Sequence, residues 1–243
     1  MKTLENEVPS KDFEAGDFKF DAQVARDYDR GIRLSCPGYD SLHEMIAQML
    51  GNGPSDMTFL SVGAGTGAEM LSLGKKFPHC RFIAVEPALA MMEVCRGRLV
   101  EAGLNNRVDY FNETLETYRP AQLADAASAI FVSHFIAEHE AKRAFFVRLA
   151  NSIKEGGQLF TGDIVGNPQS PHFRLLFDSW IARLVASGFG EEDLAKARDR
   201  EHKGPWIDES QYLDILEQAG FTRPVRFFQS LLWGGWVAKR VSE

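Results

Sequence analysis

Phe59-Leu60-Ser61-Val62-Gly63-Ala64-Gly65-Thr66-Gly67-Ala68-Glu69-Met70 runs from a short apolar strand through a glycine-rich turn into the start of a helix. Turns of this kind hold nucleotides. Glycines at 63, 65 and 67 can adopt the left-handed backbone a tight turn needs and let the chain approach a ligand closely, while the N–H groups that open a helix favour negative or polar atoms. The next apolar run, Phe82-Ile83-Ala84-Val85, ends in Glu86-Pro87, where a carboxylate can accept both hydroxyls of a ribose. Together the two features predict an adenosine-containing ligand.

Outward from this turn, strand and helix patterns alternate. Apolar runs predict strands at 58–62, 81–85, 108–111, 127–133 and 158–163, with helices at 68–76, 88–102 and 140–152 between them. Such alternation builds a parallel sheet covered on both faces, and ligands of such sheets sit outside the carboxyl ends of the strands. Gly63, Glu86 and His134 fall there. Upstream, the first twenty residues read as a charged arm carrying Phe13, Phe18 and Phe20, followed by helices at 24–33 and 42–50, a turn at Cys36-Pro37-Gly38-Tyr39 and a break at Gly51-Asn52-Gly53-Pro54. Downstream, Phe173, Phe177, Trp180 and Leu184 have helical spacing and give way to the charged run 191–203, which predicts a helical insertion over about 168–205. A helix at 211–219 stopped by Gly220, then strands at 224–229 and 231–239 joined by a tight turn, end the chain. The expected layout is effectively one domain, with an arm and cap helices over 1–57 and the sheet over 58–243.

Composition narrows the ligand. A net charge of −7 over 243 residues offers no general attraction to nucleic acid or anionic lipid, so a small-molecule substrate is expected. No signal-peptide core opens the chain and no apolar run approaches the roughly 18 residues of a membrane span; a cytoplasmic protein with no membrane partner is expected. Cys36, Cys80 and Cys95 form no Cys-x-x-Cys pair, and His134 and His139 lack a completing cluster, so no metal site is expected.

Gly63 to Ala68 also satisfies the dinucleotide fingerprint of nicotinamide-dependent oxidoreductases. The long segment before the turn and the antiparallel ending fit another family better. Val62-Gly63-Ala64-Gly65-Thr66-Gly67, Ala84-Val85-Glu86-Pro87, the fourth strand at 130–135, Lys154-Glu155-Gly156-Gly157 and Ala219-Gly220-Phe221 resemble, in order, the motifs of class I S-adenosylmethionine-dependent methyltransferases. The resemblance implies an α/β Rossmann-like fold with a mostly parallel seven-stranded sheet and a C-terminal antiparallel hairpin. It also implies S-adenosyl-L-methionine as methyl donor and S-adenosyl-L-homocysteine as product. Within that superfamily, Phe20-Asp21, Val24-Ala25, Arg33, Ser35, Pro37-Gly38-Tyr39 and Ala90-Met91-Met92-Glu93 with Cys95 resemble the carboxy-S-adenosylmethionine synthases of tRNA wobble-uridine modification, which brings carboxy-S-adenosylmethionine into consideration. The glycine turn has the form common among ordinary methyltransferases and favours the plain cofactor.

The resemblance implies roles. Gly63, Ala64 and Gly65 would lie against the methionine part of the cofactor, Glu86 and Pro87 at the ribose, Met91, Glu113 and Thr114 at the adenine, and Tyr39 and Ser133 in the same pocket. His134 would stand beside the transferred methyl as a general base or a positioning group. Phe20 would wall off water, and Arg198 would meet a carboxylate on substrate or cofactor. The aromatic insertion helix offers a surface for a homodimer. Methyl transfer to a small organic acceptor is the expected activity; a carboxy-S-adenosylmethionine synthase-like enzyme and a non-catalytic cofactor-binding partner subunit are the alternatives.

Overall fold

The computed structural model describes residues 13–15, 18–51, 56–204 and 206–242. Most of the expected arm, residues 1–12 with 16 and 17, lies outside the described residues, as do positions 52–54 of the expected break. What is described of the arm is an antiparallel ribbon of β1 (Phe13–Ala15) and β2 (Phe18–Phe20), with Phe13 opposite Phe20. Two cap helices follow, α1 (Ala22–Ser35) and α2 (Tyr39–Met49). Asp21 starts α1 by accepting the N–H groups of Gln23 and Val24.

The main sheet comprises β3 (Thr58–Val62), β4 (Arg81–Val85), β5 (Val108–Phe111), β6 (Ala124–Ile130), β7 (Ile153–Ile164), β8 (Val225–Ser230) and β9 (Trp233–Lys239). Their order is β5-β4-β3-β6-β7-β9-β8. The first five are parallel, and β9 runs antiparallel to both β7 and β8. The α/β class, the seven strands and the closing hairpin are as expected. Between strands lie α3 (Ala68–Lys76), α4 (Leu89–Glu101) and α5 (His139–Ala150); α6 (Pro171–Ala186), α7 (Glu191–Lys203) and α8 (Glu209–Gln218) follow β7.

Both faces of the sheet are covered because its central strands are apolar on both sides. Phe59, Phe82 and Phe160 pack with Leu42, Ile46, Leu73 and Leu99 on one face, and Leu60, Ile83 and Leu159 pack with Phe146, Leu149, Tyr212 and Leu216 on the other. The reversal of strand order between β3 and β6 leaves the carboxyl ends of β3, β4, β6 and β7 facing one crevice.

Two local expectations are corrected, and a third is met. The fourth strand runs 124–130 rather than 127–133, because Phe131 takes a left-handed backbone (φ 58) and turns the chain into a 3-10 turn at Ser133–Phe135. A bulky residue in that conformation is strained, and its ring is held in place against Trp233 at 4.5 Å. Tyr39 belongs to the first turn of α2 rather than to the preceding turn, since Gly38 (φ 80) already supplies the helix start. The charged run 191–203 forms one helix. Acidic residues at its start and basic residues at its end complement the helix dipole, and Glu192–Lys196 and Asp199–Lys203 pair at 2.7 Å one turn apart.

Among the described residues no helix is long and apolar enough to cross a membrane, and no group of three or more His, Cys, Asp or Glu could hold a metal ion.

Candidate active site

The glycine turn is closed by its own backbone. The N–H groups of Gly63 and Ala64 donate to the Val85 carbonyl at 2.8 and 3.2 Å, and that of Gly67 donates to Ala64 at 2.8 Å. These three groups are spent on the turn itself. The turn is specified by space as well: Gly63 has φ +63, and a Cβ there would lie 2.4 Å from Val132.

Gly65 differs, because its N–H donates to Glu86 Oε2 at 2.9 Å. The other carboxylate oxygen accepts the Ala88 N–H at 2.9 Å. Glu86 is buried, and burial pushes its pKa up to about 7, opposed by those two N–H groups. Each oxygen keeps a further lone pair for a hydroxyl donor.

Asn112, which sequence reasoning passed over for its neighbours Glu113 and Thr114, locks this corner. Its Nδ2 donates to the carbonyls of Glu86 (2.8 Å) and Pro87 (3.0 Å), and its buried Oδ1 has no partner. Met91 is buried with Ala88 and Ala90, and its Cε would lie 3.7 Å from a Cβ on Gly65. Thr114 bonds locally, its carbonyl accepting the N–H groups of Thr117 and Tyr118, and Glu113 is half-buried. Adenosine fits this corner: a carboxylate with spare lone pairs stands for the ribose hydroxyls, and an orphaned amide oxygen for an amino group.

A second polar cluster fills the carboxyl ends of β6 and β7. His134 is buried, with Nδ1 unpartnered and 3.7 Å from Asp163 Oδ1. Asp163, wholly buried, accepts the Ser133 hydroxyl and the Ile164 N–H, and Lys142 Nζ lies 3.7 Å from it while donating to the Ser133 carbonyl at 2.7 Å. Ser133 is thus tied to Asp163. Burial, then the positive charges of Arg200 and Lys142, hold the His134 imidazole well below its usual range. Burial raises Asp163, opposed by the Lys142 charge. A neutral imidazole keeps one ring nitrogen free as a proton acceptor.

Lys142 is almost fully buried, and Asp163 is its counter-charge. Replacing either partner alone strands a buried charge and is expected to cost roughly 3–5 kcal/mol. Lys142→Met and Asp163→Asn in one chain recover much of that loss, and chemical denaturation of the two single variants and the double variant measures the coupling.

Arg198 is exposed on α7, whereas Arg200 is half-buried and its positive charge acts on His134. Burial lowers the pKa of Arg200, and no carboxylate among the described residues pairs with it. Phe20 sits on the other side, edge-on to Phe135 at 5.5 Å, and the Phe135 ring lies 4.1 Å from that of His134. Tyr39 is buried against His43 (4.6 Å) and Phe131 (6.2 Å). The structure therefore brings together Gly63, Ala64, Gly65, Glu86, Pro87 and Met91 at one corner and Ser133, His134 and Phe20 at the next.

Residues 60–159 match the profile of a family described as "Methyltransferase domain". Similar proteins over nearly the whole chain are a carboxy-S-adenosyl-L-methionine synthase of Pseudomonas fluorescens (27% identity, 91% of this chain and 92% of the relative) and one of Klebsiella pneumoniae (25%, 94% and 93%). Among solved structures, an O-methyltransferase family protein of Burkholderia thailandensis superposes with a TM-score of 0.63 at 13% identity, covering 91% of this chain. This chain spans only 61% of that protein's length. Sheet order, glycine turn, strand-end acid and these relationships support a class I S-adenosylmethionine-dependent methyltransferase.

Proposed function

We propose that this protein methylates a small-molecule acceptor that carries an anionic group, with His134 receiving the acceptor's proton. The observation that carries the reading is Arg200, a half-buried guanidinium whose charge acts on His134 and which has no ion-pair partner among the described residues. A half-buried cation of this kind gains most from a carboxylate or similar anion delivered by a ligand.

S-adenosylmethionine, when bound, supplies an electrophilic methyl group on its sulfonium. Glu86, with Gly65, Asn112 and Met91 around it, would hold the adenosyl part. His134 accepts the proton of an acceptor O–H or N–H, and Asp163 offsets the positive charge that the imidazole gains. Phe18, Phe20 and Phe135 exclude water from that corner, which strengthens each of these interactions.

A carboxylated cofactor is the second reading, favoured by the same Arg200 and by relatives named carboxy-S-adenosyl-L-methionine synthase. Titration calorimetry with S-adenosylhomocysteine tests the first reading, and no heat of binding would sink it. Mass spectrometry of the ligand that survives purification separates the two cofactors. The proposed homodimer rests on Leu175 and Val185, exposed on α6, and light scattering at monomer mass would remove it.

A further inference from the structure

The centre of the glycine turn is gripped from outside the sheet. Asp29 on α1 accepts the Thr66 hydroxyl at 2.7 Å with one oxygen and meets Arg98 Nη1 at 2.6 Å with the other. The same Arg98 nitrogen donates to the Thr66 carbonyl at 2.8 Å. Thr66 is thus held by side chain and backbone at once, and it is 2% exposed. Charge-assisted bonds of this length in a partly buried setting are among the stronger ones a protein makes.

Helix α1 also touches the two other parts of the site. Its Ala25 is buried in one cluster with Ala88 and Met91, and Phe20, just ahead of α1, joins that cluster and reaches Phe135 beside His134. One helix therefore connects the turn, the corner proposed for adenosine and the aromatic cover of the acceptor side.

We propose that Asp29 is a positioning residue that couples the glycine turn to the cap, so that filling the cofactor pocket orders α1 and its aromatic cover over the acceptor side. The proposal rests on the S-adenosyl reading above. Coupling of this kind is reciprocal: an acceptor analogue that orders the cap tightens cofactor binding by the same factor.

Hydrogen exchange of α1, measured with and without S-adenosylhomocysteine, tests it. In the wild type the ligand is expected to raise protection of Ala22–Ser35. Asp29→Asn and Thr66→Val are expected to abolish that increase and to weaken the ligand about tenfold by calorimetry, while Thr66→Ser, which keeps the hydroxyl, preserves both. Thr66→Val is nearly isosteric and serves if Asp29→Asn does not fold. Ligand-induced protection that persists in both variants overturns the coupling, as does a loss of protection equal with and without ligand, the mark of a purely structural bond. Failure of the wild type to bind S-adenosylhomocysteine overturns instead the functional reading on which the coupling rests.

Discussion

Glu86→Gln is expected to weaken S-adenosylhomocysteine binding about tenfold to a hundredfold and to remove its pH dependence near neutrality. Hydrogen bonds from hydroxyls to a charged acceptor contribute roughly 1.5–3 kcal/mol each, and the amide offers neither the charge nor the second acceptor oxygen. The wild-type carboxylate, raised to about 7 by burial, is protonated below that pH and can no longer accept from both hydroxyls. Its affinity for the ligand should fall about tenfold per pH unit on the acid side of 7.

Stability of the unliganded protein moves the other way. A carboxyl whose folded pKa is raised above its unfolded value of 4.5 contributes stability that is fully present below 4.5 and is lost as pH rises through about 7. The loss amounts to roughly 3 kcal/mol, at about 1.4 kcal/mol for each pH unit that separates the folded from the unfolded value. Denaturation of the unliganded wild type should therefore show a decline between pH 4.5 and 7 that Glu86→Gln lacks, over the window in which ligand affinity climbs. A wild-type affinity that is flat from about pH 5 to 8 would remove Glu86 from the cofactor site.

His134→Asn should lower kcat by about 10² to 10⁴ with S-adenosylhomocysteine affinity unchanged, the signature of a group that acts on the proton in flight and not on cofactor binding. An acid limb near pH 7 in kcat/KM would ordinarily be given to a histidine. Here the assignments exchange. Burial and the charges of Arg200 and Lys142 keep His134 neutral well below its usual range, whereas Glu86 titrates at about 7. The limb should persist in His134→Asn and vanish in Glu86→Gln. Profiles of kcat/KM for the methyl donor in both variants decide this, and a limb lost with the histidine would reverse the assignment.

The corner proposed for the cofactor was legible because it is local. The glycine turn and Glu86 are each set by a strand of five residues ending where its apolar pattern ends, and parallel pairing of β3 with β4 brings the two ends together. Asn112 lies one residue from the expected position, since only the end of the β5 ladder determines which residue faces Glu86. The fourth strand misled for a related reason: the apolar run continues to Val132, and nothing in its pattern announces the left-handed Phe131 that turns His134 inward.

The chemical cluster was less legible because it is assembled across the chain. His134 and Asp163 meet only through the β6–β7 register, in which Ile130 pairs with Gly162. Lys142 lies in a helix to which sequence reasoning assigned no role in the site, and the buried Asp163 and the Ser133 carbonyl explain why it points inward. Arg198 and Arg200 are chemically equivalent in the sequence, but two residues along a helix differ by about 200° in direction. The packing of α7 through Leu194 and Ala197 decides which one is half-buried and which exposed.

The amino-acid sequence by itself determined the α/β class, the corner proposed for adenosine and the kinship with S-adenosylmethionine enzymes, because short-range periodicity and a strand-to-helix turn encode all three. Tertiary structure alone decided which arginine is half-buried with its charge acting on His134, which carboxylate faces the imidazole, and that Asp29 grips the glycine turn. Those contacts depend on helix phase and strand register, which arise only when distant segments pack against one another.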